Sequence, residues 1–264
     1  MFKFSVIIPT FNRADFIESC INSVLNQDEQ DFEIIVVDDA STDDTLLNLQ
    51  KFNDSRIRII GLKNNLGRSF ARNIAISTAR SEYISMLDSD DTMYKHRLTL
   101  QGNFLDSHPQ FIMVGGLLHG HHHKSKIPSD YSDFDARPMF IKENIYDHSS
   151  VTIRSQILKK LNGPYRLKHY EDYFLYSDLV RFGKFGYLPG AVGEYSYHSA
   201  QVSSTLPRQA NKEIKSIRIR FLFKCLIYGV ESSKYEVYSM KIKDIVLLLM
   251  PTFVYQLIMH TLKK

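Results

Sequence analysis

Three aspartates in the middle of the chain, Asp88, Asp90 and Asp91, are spaced closely enough to act on one ligand. They follow Tyr83-Ile-Ser-Met-Leu87, an apolar and β-branched segment that predicts a buried strand, so their carboxylates are expected where that strand ends. Carboxylates placed in this way can hold Mg²⁺ or Mn²⁺, which usually binds through one or two carboxylates together with the oxygens of a diphosphate. An isolated cluster of this kind is found more often in a solvated acidic turn, because short motifs recur by chance.

A second acidic pair, Asp38 and Asp39, ends another predicted strand, the apolar run at residues 33–37. The following Ser41-Thr-Asp-Asp44 has the pattern of a helix start, which would turn the positive end of a helix toward the same cleft. Two acidic strand ends facing one pocket would repel each other without a cation or a donor-rich ligand between them. The two clusters together therefore favour a binding site over two solvated turns.

Further polar residues could join this site. Arg68 and Arg72 lie near the start of the next predicted helix, where they suit contacts with phosphate or base as well as an ordinary solvated face. Glu171 and Asp172 begin another predicted helix, and taken alone they are explained by the helix macrodipole, which favours acidic residues in the first turn. Four histidines between residues 119 and 123 cannot all converge on one ion, so a structural metal is not expected there.

The elements that must position these residues alternate between strands and helices. Strands are predicted at residues 4–8, 33–37, 56–60 and 83–87, with a helix over 67–79 before the last of them. This order is typical of an α/β domain with a doubly wound, mostly parallel sheet, whose ligands bind at the carboxyl ends of its strands. Residues 117–150 lack such a pattern and are expected to form a long, partly mobile loop over the site. Further along the chain, helices are predicted over 171–182, 208–229 and 240–262, and a strand over 184–188.

The size and composition of the chain suit one catalytic unit. A length of 264 residues allows one large α/β domain with a small appendage, and 44% hydrophobic with 23% charged residues excludes a disordered or fibrous protein. The chain has two cysteines, and Cys20 falls on the apolar face of a predicted helix, which fits a reducing compartment. The N-terminal run Phe4-Ser-Val-Ile-Ile-Pro9 is too short for a signal peptide, so a cytoplasmic location is expected.

The C-terminal region differs in charge from the rest of the chain. Residues 207–264 hold 11 of the 33 Lys and Arg residues but 4 of the 29 Asp and Glu residues, and residues 245–262 contain no charged side chain. A basic tail beside an apolar segment favours peripheral contact with the inner face of the cell membrane, and no nucleic-acid motif accompanies it. The alternative is a helix that packs on the catalytic domain or on a second subunit of a homodimer.

Four strings cover the first half of the chain nearly continuously: Phe4-Ser-Val-Ile-Ile-Pro-Thr-Phe-Asn-Arg13, Ile35-Val-Val-Asp-Asp-Ala-Ser-Thr-Asp43, Asn64-Asn-Leu-Gly-Arg-Ser-Phe-Ala-Arg-Asn73 and Leu87-Asp-Ser-Asp-Asp91. In their order and spacing they resemble the family-2 glycosyltransferases with a GT-A fold. A weaker match, Tyr170-Glu-Asp172 with Arg181, Gly183 and His198, extends the resemblance to about residue 204. The resemblance implies a GT-A catalytic domain over 1–206, with a nucleotide-sugar-binding half at 1–116 and an acceptor-binding half at 117–206, followed by a helical extension over 207–264.

Carried over to this sequence, the resemblance implies a role for each residue of the donor site. Pro9, Thr10 and Asp39 would hold a uracil-type base, Asp88 would face the ribose, and Asp90 would ligate Mn²⁺ or Mg²⁺ on the diphosphate. The full set implied to bind the nucleotide sugar is Pro9, Thr10, Phe11, Asp39, Arg72, Asp88 and Ser89. Phe11 stands where many members have tyrosine, which keeps a stacking face but removes a hydroxyl.

The resemblance also implies the residues of the acceptor side. Asp172 occupies the general-base position of the family, and Glu171 beside it is implied to contact the acceptor. His198 is implied to contact the metal or the diphosphate.

The activity that the resemblance implies is inverting transfer from a UDP-sugar to a hydroxyl of a glycan or lipid-linked glycan. The hydroxyl loses its proton as it attacks the anomeric carbon, and one direct displacement without a protein nucleophile inverts the configuration. The chain lacks tryptophan and therefore the Gln-x-x-Arg-Trp string of processive polymerases, so processive synthesis is not expected. By analogy, the setting is bacterial surface polysaccharide assembly.

Three other functions fit part of the pattern. Asp88-Ser-Asp-Asp-Thr92 matches the Asp-x-Asp-x-Thr string of aspartyl-phosphate phosphatases, but that function leaves the two earlier motifs unexplained. A nucleotidyltransferase would also bind a nucleotide with Mg²⁺, but no Gly-rich loop with Lys or Arg follows the first strand to grip a triphosphate. The third is a catalytically inactive, membrane-docked module that only binds nucleotide sugars, and the intact Asp90 and Asp172 argue against it.

Overall fold

Strands and helices alternate from the N-terminus onward. The structure is a computed structural model, and it describes residues 1–120, 134–198 and 210–230. The strands in these ranges are β1 (Phe2–Thr10), β2 (Phe32–Asp38), β3 (Ile57–Gly61), β4 (Ser81–Met86), β5 (Thr92–Met93), β6 (Phe111–His119), β7 (Thr152–Arg154) and β8 (Lys184–Glu194). The α-helices are α1 (Ile17–Leu25), α2 (Thr45–Leu49), α3 (Arg68–Thr78), α4 (Arg97–Ser107), α5 (Ser155–Lys159), α6 (Glu171–Leu179) and α7 (Ala210–Ile227). Short 3₁₀ helices span Arg137–Ile141, His148–Ser150 and Val180–Phe182.

The eight described strands form one sheet in the order β3-β2-β1-β4-β7-β6-β8-β5. The first four strands of that order are all parallel to their neighbours. Strand β7 runs antiparallel to both β4 and β6, and β5 runs antiparallel to β8, which is parallel to β6. The predicted α/β class is therefore confirmed. Four of the five predicted strands lie in the parallel half, and the fifth, predicted at 184–188, is the start of β8 in the mixed half.

The carboxyl ends of the central strands meet at one edge of the sheet. Thr10 in β1 lies opposite Asp38 in β2, and the amide of Asp39 donates to the carbonyl of Thr10 at 2.8 Å. On the other side of β1, the amide of Leu87 donates to the carbonyl of Ile7 at 3.1 Å, one residue after the end of β4. This pairing delivers the three polar motifs of the sequence to a common edge.

Both faces of the parallel half are covered, which explains its nearly continuous apolar strands. Ile7 packs in one core cluster with Ala71 and Ala75 of α3. The preceding residue of the strand, Val6, points to the opposite face and packs in a second cluster with Ile21 of α1. The apolar stripe of α3 thus fixes the helix whose N-terminal turn carries Arg68 and Arg72.

The expectation of a loose loop over 117–150 is wrong for its described part. Strand β6 continues to His119, and Phe140, Ile141 and Tyr146 are buried in the core. The Tyr146 ring packs so closely on β6 that a Cβ on Gly115 would lie 2.7 Å from it. This packing could not be predicted because the apolar residues of the segment are separated by charged ones and follow neither a helical nor a strand period. Residues 121–133, including three of the histidines, lie outside the described residues.

The first part of the C-terminal extension packs on the catalytic body. Helix α7 buries Ile217 and Phe221 in the same core cluster as Phe140, and the Phe140 and Phe221 rings stack with centroids 5.4 Å apart. The predicted helix at 208–229 is thus confirmed within two residues at each end. The predicted domain boundary after residue 206 and the predicted helix at 240–262 lie outside the described residues. None of the helices that the structure describes is long and apolar enough to cross a membrane.

Candidate active site

A cleft of about 1080 Å³ opens at the carboxyl ends of β1, β2 and β4. Its walls come from the turn after β1, from Asp39, from the N-terminal part of α3, from the acidic cluster after β4 and from the segment before α6. The lining residues are Pro9, Thr10, Phe11, Asn12, Arg13, Asp39, Asn65, Leu66, Gly67, Arg68, Ser69, Phe70, Ala71, Arg72, Asn73, Asp88, Ser89, Asp90, Asp91, Tyr165, Arg166, Leu167, Lys168, His169 and Tyr195. All seven residues that the resemblance assigned to the nucleotide sugar line this one cleft.

The end of the cleft beside β1 and β2 offers unsatisfied polar groups and an exposed ring. The Thr10 hydroxyl oxygen is buried without a hydrogen-bond partner among the described residues, and the Phe11 side chain is 40% exposed. Both oxygens of the buried Asp39 carboxylate accept a backbone hydrogen bond at 2.7 Å, one from Leu66 and one from Gly67. Gly67 has a φ of +92°, a conformation that side-chain-bearing residues rarely adopt. The turn before α3 is thereby held against Asp39.

The two aspartates after β2 have different partners. The carboxylate of Asp38 accepts from the amide of Ser41 at 3.1 Å and from its hydroxyl at 2.5 Å, so it is satisfied within its own turn. The expected repulsion between two acidic strand ends is therefore relieved on this side by protein donors. A helix does follow the predicted start: α2 begins at Thr45 and has five residues. The Asp43 carboxylate accepts from the Thr45 amide at 3.0 Å.

Arg72 links the donor side of the cleft to the start of α6. Its guanidinium is 2% exposed and contacts Asp88 at 2.5 Å and Glu171 at 2.6 Å. Burial alone would lower the pKa of Arg72, but the charges of Asp88 and Glu171 outweigh it and raise the pKa. Burial would likewise raise the pKa of Asp88, but the Arg72 guanidinium outweighs it and lowers the pKa to about 2. Asp88 is therefore an anion under all ordinary conditions.

Glu171 has a different setting from the acceptor contact that was expected. Its carboxylate is buried and forms ion pairs with Arg72 at 2.6 Å and with Arg68 at 2.7 Å. Both arginines line the cleft, but Glu171 itself does not. Its carboxylate holds the two guanidiniums in place, so the contacts favour a positioning role.

Asp90 and His198 are brought together although 108 residues separate them. The Asp90 Oδ2 atom lies 2.8 Å from His198 Nε2, and the His198 ring stacks on Phe16 with centroids 4.6 Å apart. Arg13 Nε donates to the same Asp90 oxygen at 3.1 Å. No group of three or more His, Cys, Asp or Glu side chains suited to a metal occurs in the described residues. Two protein ligands beside room for a diphosphate nevertheless fit the way Mg²⁺ and Mn²⁺ are held next to nucleotides.

Asp91, the last aspartate of the acidic cluster, lines the cleft but is almost fully buried. It is 2% exposed, and burial, followed by the charge of Asp88, raises its pKa to about 8. Its Oδ1 atom accepts from the amide of Ser196 at 3.2 Å, two residues before His198. Asp91 therefore ties the segment carrying His198 to the acidic cluster. The Ser149 hydroxyl, which sequence reasoning missed, accepts from the amide of Asp88 at 2.9 Å.

Asp172 lies in the first turn of α6, directly after Glu171. The Asn144 side-chain amide donates to Asp172 Oδ2 at 2.8 Å, and burial, with the charge of Glu171 second, raises the pKa of Asp172 to about 6. Tyr170, the residue before the helix, has a φ of +52°, which is uncommon for a bulky side chain. Neither Asp172 nor His198 is among the residues that line the cleft, although His198 contacts Asp90, which does line it. Asn144 falls within the segment expected to be a loose loop, so no sequence signal marked it.

The mixed sheet and the cleft at its strand ends define a GT-A domain, and two solved structures have this fold. One is the crystal structure of residues 1–349 of S. aureus TarS in complex with UDP-GlcNAc. It has 22% identity and a TM-score of 0.71, and the match covers 95% of this chain and 76% of that one. The other is glucosyl-3-phosphoglycerate synthase from Mycobacterium tuberculosis in complex with Mn²⁺, uridine-diphosphate and phosphoglyceric acid, at 18% identity and a TM-score of 0.62, covering 83% and 78% of the two chains.

Sequence comparison gives the family. Residues 5–161 match Glycosyl transferase family 2, and the chain belongs to this family. TuaG of Bacillus subtilis (strain 168), named as a teichuronic acid biosynthesis glycosyltransferase, is 43% identical over 103 residues. That match covers 38% of this chain and 41% of TuaG, so the chain spans less than half of this relative.

Proposed function

We propose that the protein transfers a sugar from a nucleotide diphosphate sugar, specifically a UDP-sugar, to a hydroxyl of a glycan or lipid-linked glycan, with inversion at the anomeric carbon. One observation carries this proposal: a cleft of about 1080 Å³ gathers the polar motifs of three strand ends. Its volume lies just above the usual range for small-molecule sites, about 300 to 1,000 Å³, which suits a ligand as large as a nucleotide sugar.

The donor nucleotide fits the end of the cleft beside β1. The buried Thr10 hydroxyl has no partner among the described residues and can bond a base, while the exposed Phe11 ring offers a stacking face. The Asp39 oxygens each accept one backbone hydrogen bond and keep capacity for a base N–H. Asp88, ionised and only partly buried, is suited to accept from the ribose hydroxyls.

A divalent cation, Mn²⁺ or Mg²⁺, would be held by Asp90 and His198. When bound, it would supply positive charge that stabilises the departing nucleotide diphosphate. The Mn²⁺ in the mycobacterial synthase of the same fold supports this choice of cofactor. Arg72, held by Asp88 and Glu171, adds a fixed positive charge to the same wall.

Asp172 would take the proton of the acceptor hydroxyl. A pKa of about 6 leaves its carboxylate ionised at neutral pH yet basic enough to accept a proton, as a general base requires. Asn144 fixes the orientation of that carboxylate. The hydroxyl oxygen would attack the anomeric carbon directly, with no protein nucleophile between them, as the bond to the nucleotide diphosphate breaks and the diphosphate leaves. This single displacement accounts for the proposed inversion.

A relative and the C-terminal region bear on the cellular process and the location in which the transfer would occur. The name of TuaG supports a role in bacterial surface polysaccharide assembly. The basic and apolar residues after 206 support peripheral attachment to the inner face of the membrane, where a lipid-linked acceptor would be found.

The test is incubation of the protein with a panel of UDP-sugars, Mn²⁺ and glycan acceptors that carry free hydroxyls. Transfer of a sugar with inverted anomeric configuration, read by nuclear magnetic resonance of the product, is the expected result. Exchange of pyrophosphate into a nucleotide would indicate a nucleotidyltransferase instead. Tight binding of the donor without turnover on any acceptor would indicate a binding module.

A further inference from the structure

The proposed metal ligand Asp90 is already paired with a cation of the protein. Arg13 Nε donates to Asp90 Oδ2 at 3.1 Å, and His198 Nε2 lies 2.8 Å from the same oxygen. The three side chains are between 13% and 17% exposed. An ion pair at this depth is less screened by solvent than a surface pair.

The position of Arg13 is fixed by the backbone around it. Its amide donates to the Thr45 hydroxyl at 2.7 Å, and its carbonyl accepts from Phe16 at 3.0 Å and Ile17 at 2.9 Å, at the start of α1. The preceding residue, Asn12, has a φ of +52° and accepts from the amide of Thr42 at 2.8 Å. The turn after β1 is thus tied to the loop after β2, and it points the Arg13 side chain at the acidic cluster.

Arg13 lines the cleft that would hold the diphosphate, so its guanidinium lies within the site and not behind it. Its Nη1 atom donates to the carbonyl of Asn12 at 3.0 Å, and in the described residues its ion pair is with Asp90. A divalent cation that uses Asp90 Oδ2 and His198 Nε2 as ligands would meet the Arg13 charge at the same oxygen. Cation and guanidinium therefore compete for Asp90 unless the guanidinium gains another anion.

We infer that Arg13 is a built-in counter-cation for Asp90, which makes metal binding depend on the nucleotide diphosphate. A metal that arrives alone must displace Arg13 from Asp90 and leave the guanidinium without an anionic partner. A metal that arrives with a diphosphate brings phosphate oxygens, which a guanidinium binds well. The coupling is reciprocal: UDP strengthens metal binding by the same factor as metal strengthens UDP binding. This inference rests on the proposed function, because it requires the metal to use Asp90.

The test measures Mn²⁺ binding by electron paramagnetic resonance of the free ion, on the full chain, with and without saturating UDP. The Arg13→Gln protein should bind Mn²⁺ alone about tenfold more tightly than the unaltered protein. The factor by which UDP strengthens Mn²⁺ binding should shrink by about the same tenfold, since the metal alone no longer has to displace Arg13. A change of this size lies within the range of about 5- to 150-fold that is typical of coupling between sites. Arg13→Lys, which keeps the charge, should stay closer to the unaltered protein.

Arg56→Gln is the matched control, since Arg56 pairs with Asp54 at 2.8 Å outside the cleft, and it should leave both affinities unchanged. Thermal unfolding without ligands confirms that each variant is folded. Unchanged or weaker Mn²⁺ affinity in folded Arg13→Gln overturns the inference alone. Failure of the unaltered protein to bind Mn²⁺ even with UDP overturns both the inference and the proposed metal site.

Discussion

At the scale of single residues, the three carboxylates of the acidic cluster after β4 differ in their partners and in their burial. Asp88 is paired with Arg72 and stays ionised, whereas Asp91 is buried with a pKa raised to about 8 and accepts from the Ser196 amide. Asp90 contacts Arg13 and His198 through the same carboxylate oxygen. The three aspartates thus have three different environments within four residues, and the proposed function assigns the metal to Asp90.

Replacing Asp90 with alanine should abolish the metal dependence of UDP binding. The change removes the carboxylate that would touch the cation, while Thr10 and Asp39, the residues proposed to bind the base, still line the cleft. Isothermal calorimetry with UDP, with and without Mn²⁺, measures the effect. Asp31→Ala, at an exposed position before β2, serves as the control and should keep the dependence. Unaltered Mn²⁺ dependence in the Asp90 variant would show that the metal binds elsewhere.

Replacing Asp172 with asparagine should lower turnover by on the order of a hundredfold while leaving donor affinity near normal. The amide keeps the shape and can still accept from Asn144, but it cannot take a proton. Asp178→Asn changes a carboxylate in the same helix that pairs with Arg220 and Lys224 instead, so its turnover should remain close to normal. Steady-state kinetics at saturating substrates decides, and near-normal turnover of Asp172→Asn would remove this residue from the base role.

The raised pKa of Asp172 also gives a pH dependence. A base acts when it is deprotonated, so kcat should be sustained above pH 6 and decrease as the pH is lowered through about 6. The profile of kcat for the unaltered protein measures this, and the inflection should be absent from the residual activity of Asp172→Asn. An inflection at the same pH in both proteins would assign the titration to another group.

At the scale of elements, what could be predicted depended on whether an element carries its own pattern. Strands β1, β2 and β4 are short, largely apolar runs and helix α3 has an apolar stripe, and all four were predicted within a few residues. Helix α4 was missed because its buried face contains two polar residues, Arg97 and Gln101, so the sequence shows no apolar stripe there. The side chains of these residues donate to the carbonyls of Ser149 and Ser150. Strand β7 has three residues, too few for any period.

The candidate site shows the same division. The residues contributed by the parallel half were found because each follows a predictable strand. Arg13, Asn144 and Ser149 were missed because their roles come from contacts across 77, 28 and 61 residues of chain, which no local pattern encodes. The ion pair between Glu171 and Arg72 could not be predicted from the sequence either, because it forms only where α6 packs beside α3.

Helix α7 offers a test of packing at this scale. Phe221 is fully buried against Phe140, Tyr173 and Phe185, whereas Phe223, two residues later on the same helix, is 51% exposed. Phe221→Ala should lower the free energy of unfolding by about 3 to 5 kcal/mol, as expected for deletion of a buried ring. Phe223→Ala is the matched control and should change it by less than about 0.5 kcal/mol.

Urea unfolding followed by circular dichroism measures both variants. A small and equal effect would mean that α7 does not pack on the catalytic body in solution. A large effect of Phe221→Ala alone would show that the start of the C-terminal extension is part of the core of the protein.

At the scale of the whole molecule, the C-terminal extension changes character along its length. Helix α7 ends at Ile227 and packs on the catalytic body, whereas residues 245–262 are uncharged and lie between Lys241 and Lys243 on one side and Lys263 and Lys264 on the other. Eighteen residues of helix would extend about 27 Å, short of a hydrocarbon core of about 30 Å, and Pro251 interrupts the run. An interfacial helix therefore suits this segment better than a full span, with apolar side chains inserted and lysines facing anionic headgroups.

Flotation with lipid vesicles tests this attachment. The full chain should float with vesicles that contain phosphatidylglycerol and much less with vesicles of phosphatidylcholine alone, because the lysines are attracted to anionic headgroups. Added salt should weaken the association, since it screens that attraction. A shortened protein that ends at Tyr238 keeps α7 but loses the apolar segment, and it should remain unbound in both cases.

If the full and shortened proteins float equally, or if neither binds anionic vesicles, the segment has no membrane role and packing on the catalytic domain or on a second subunit is the better account. Light scattering of the two proteins would then distinguish these, because only packing on a second subunit makes the mass of the full chain that of a dimer.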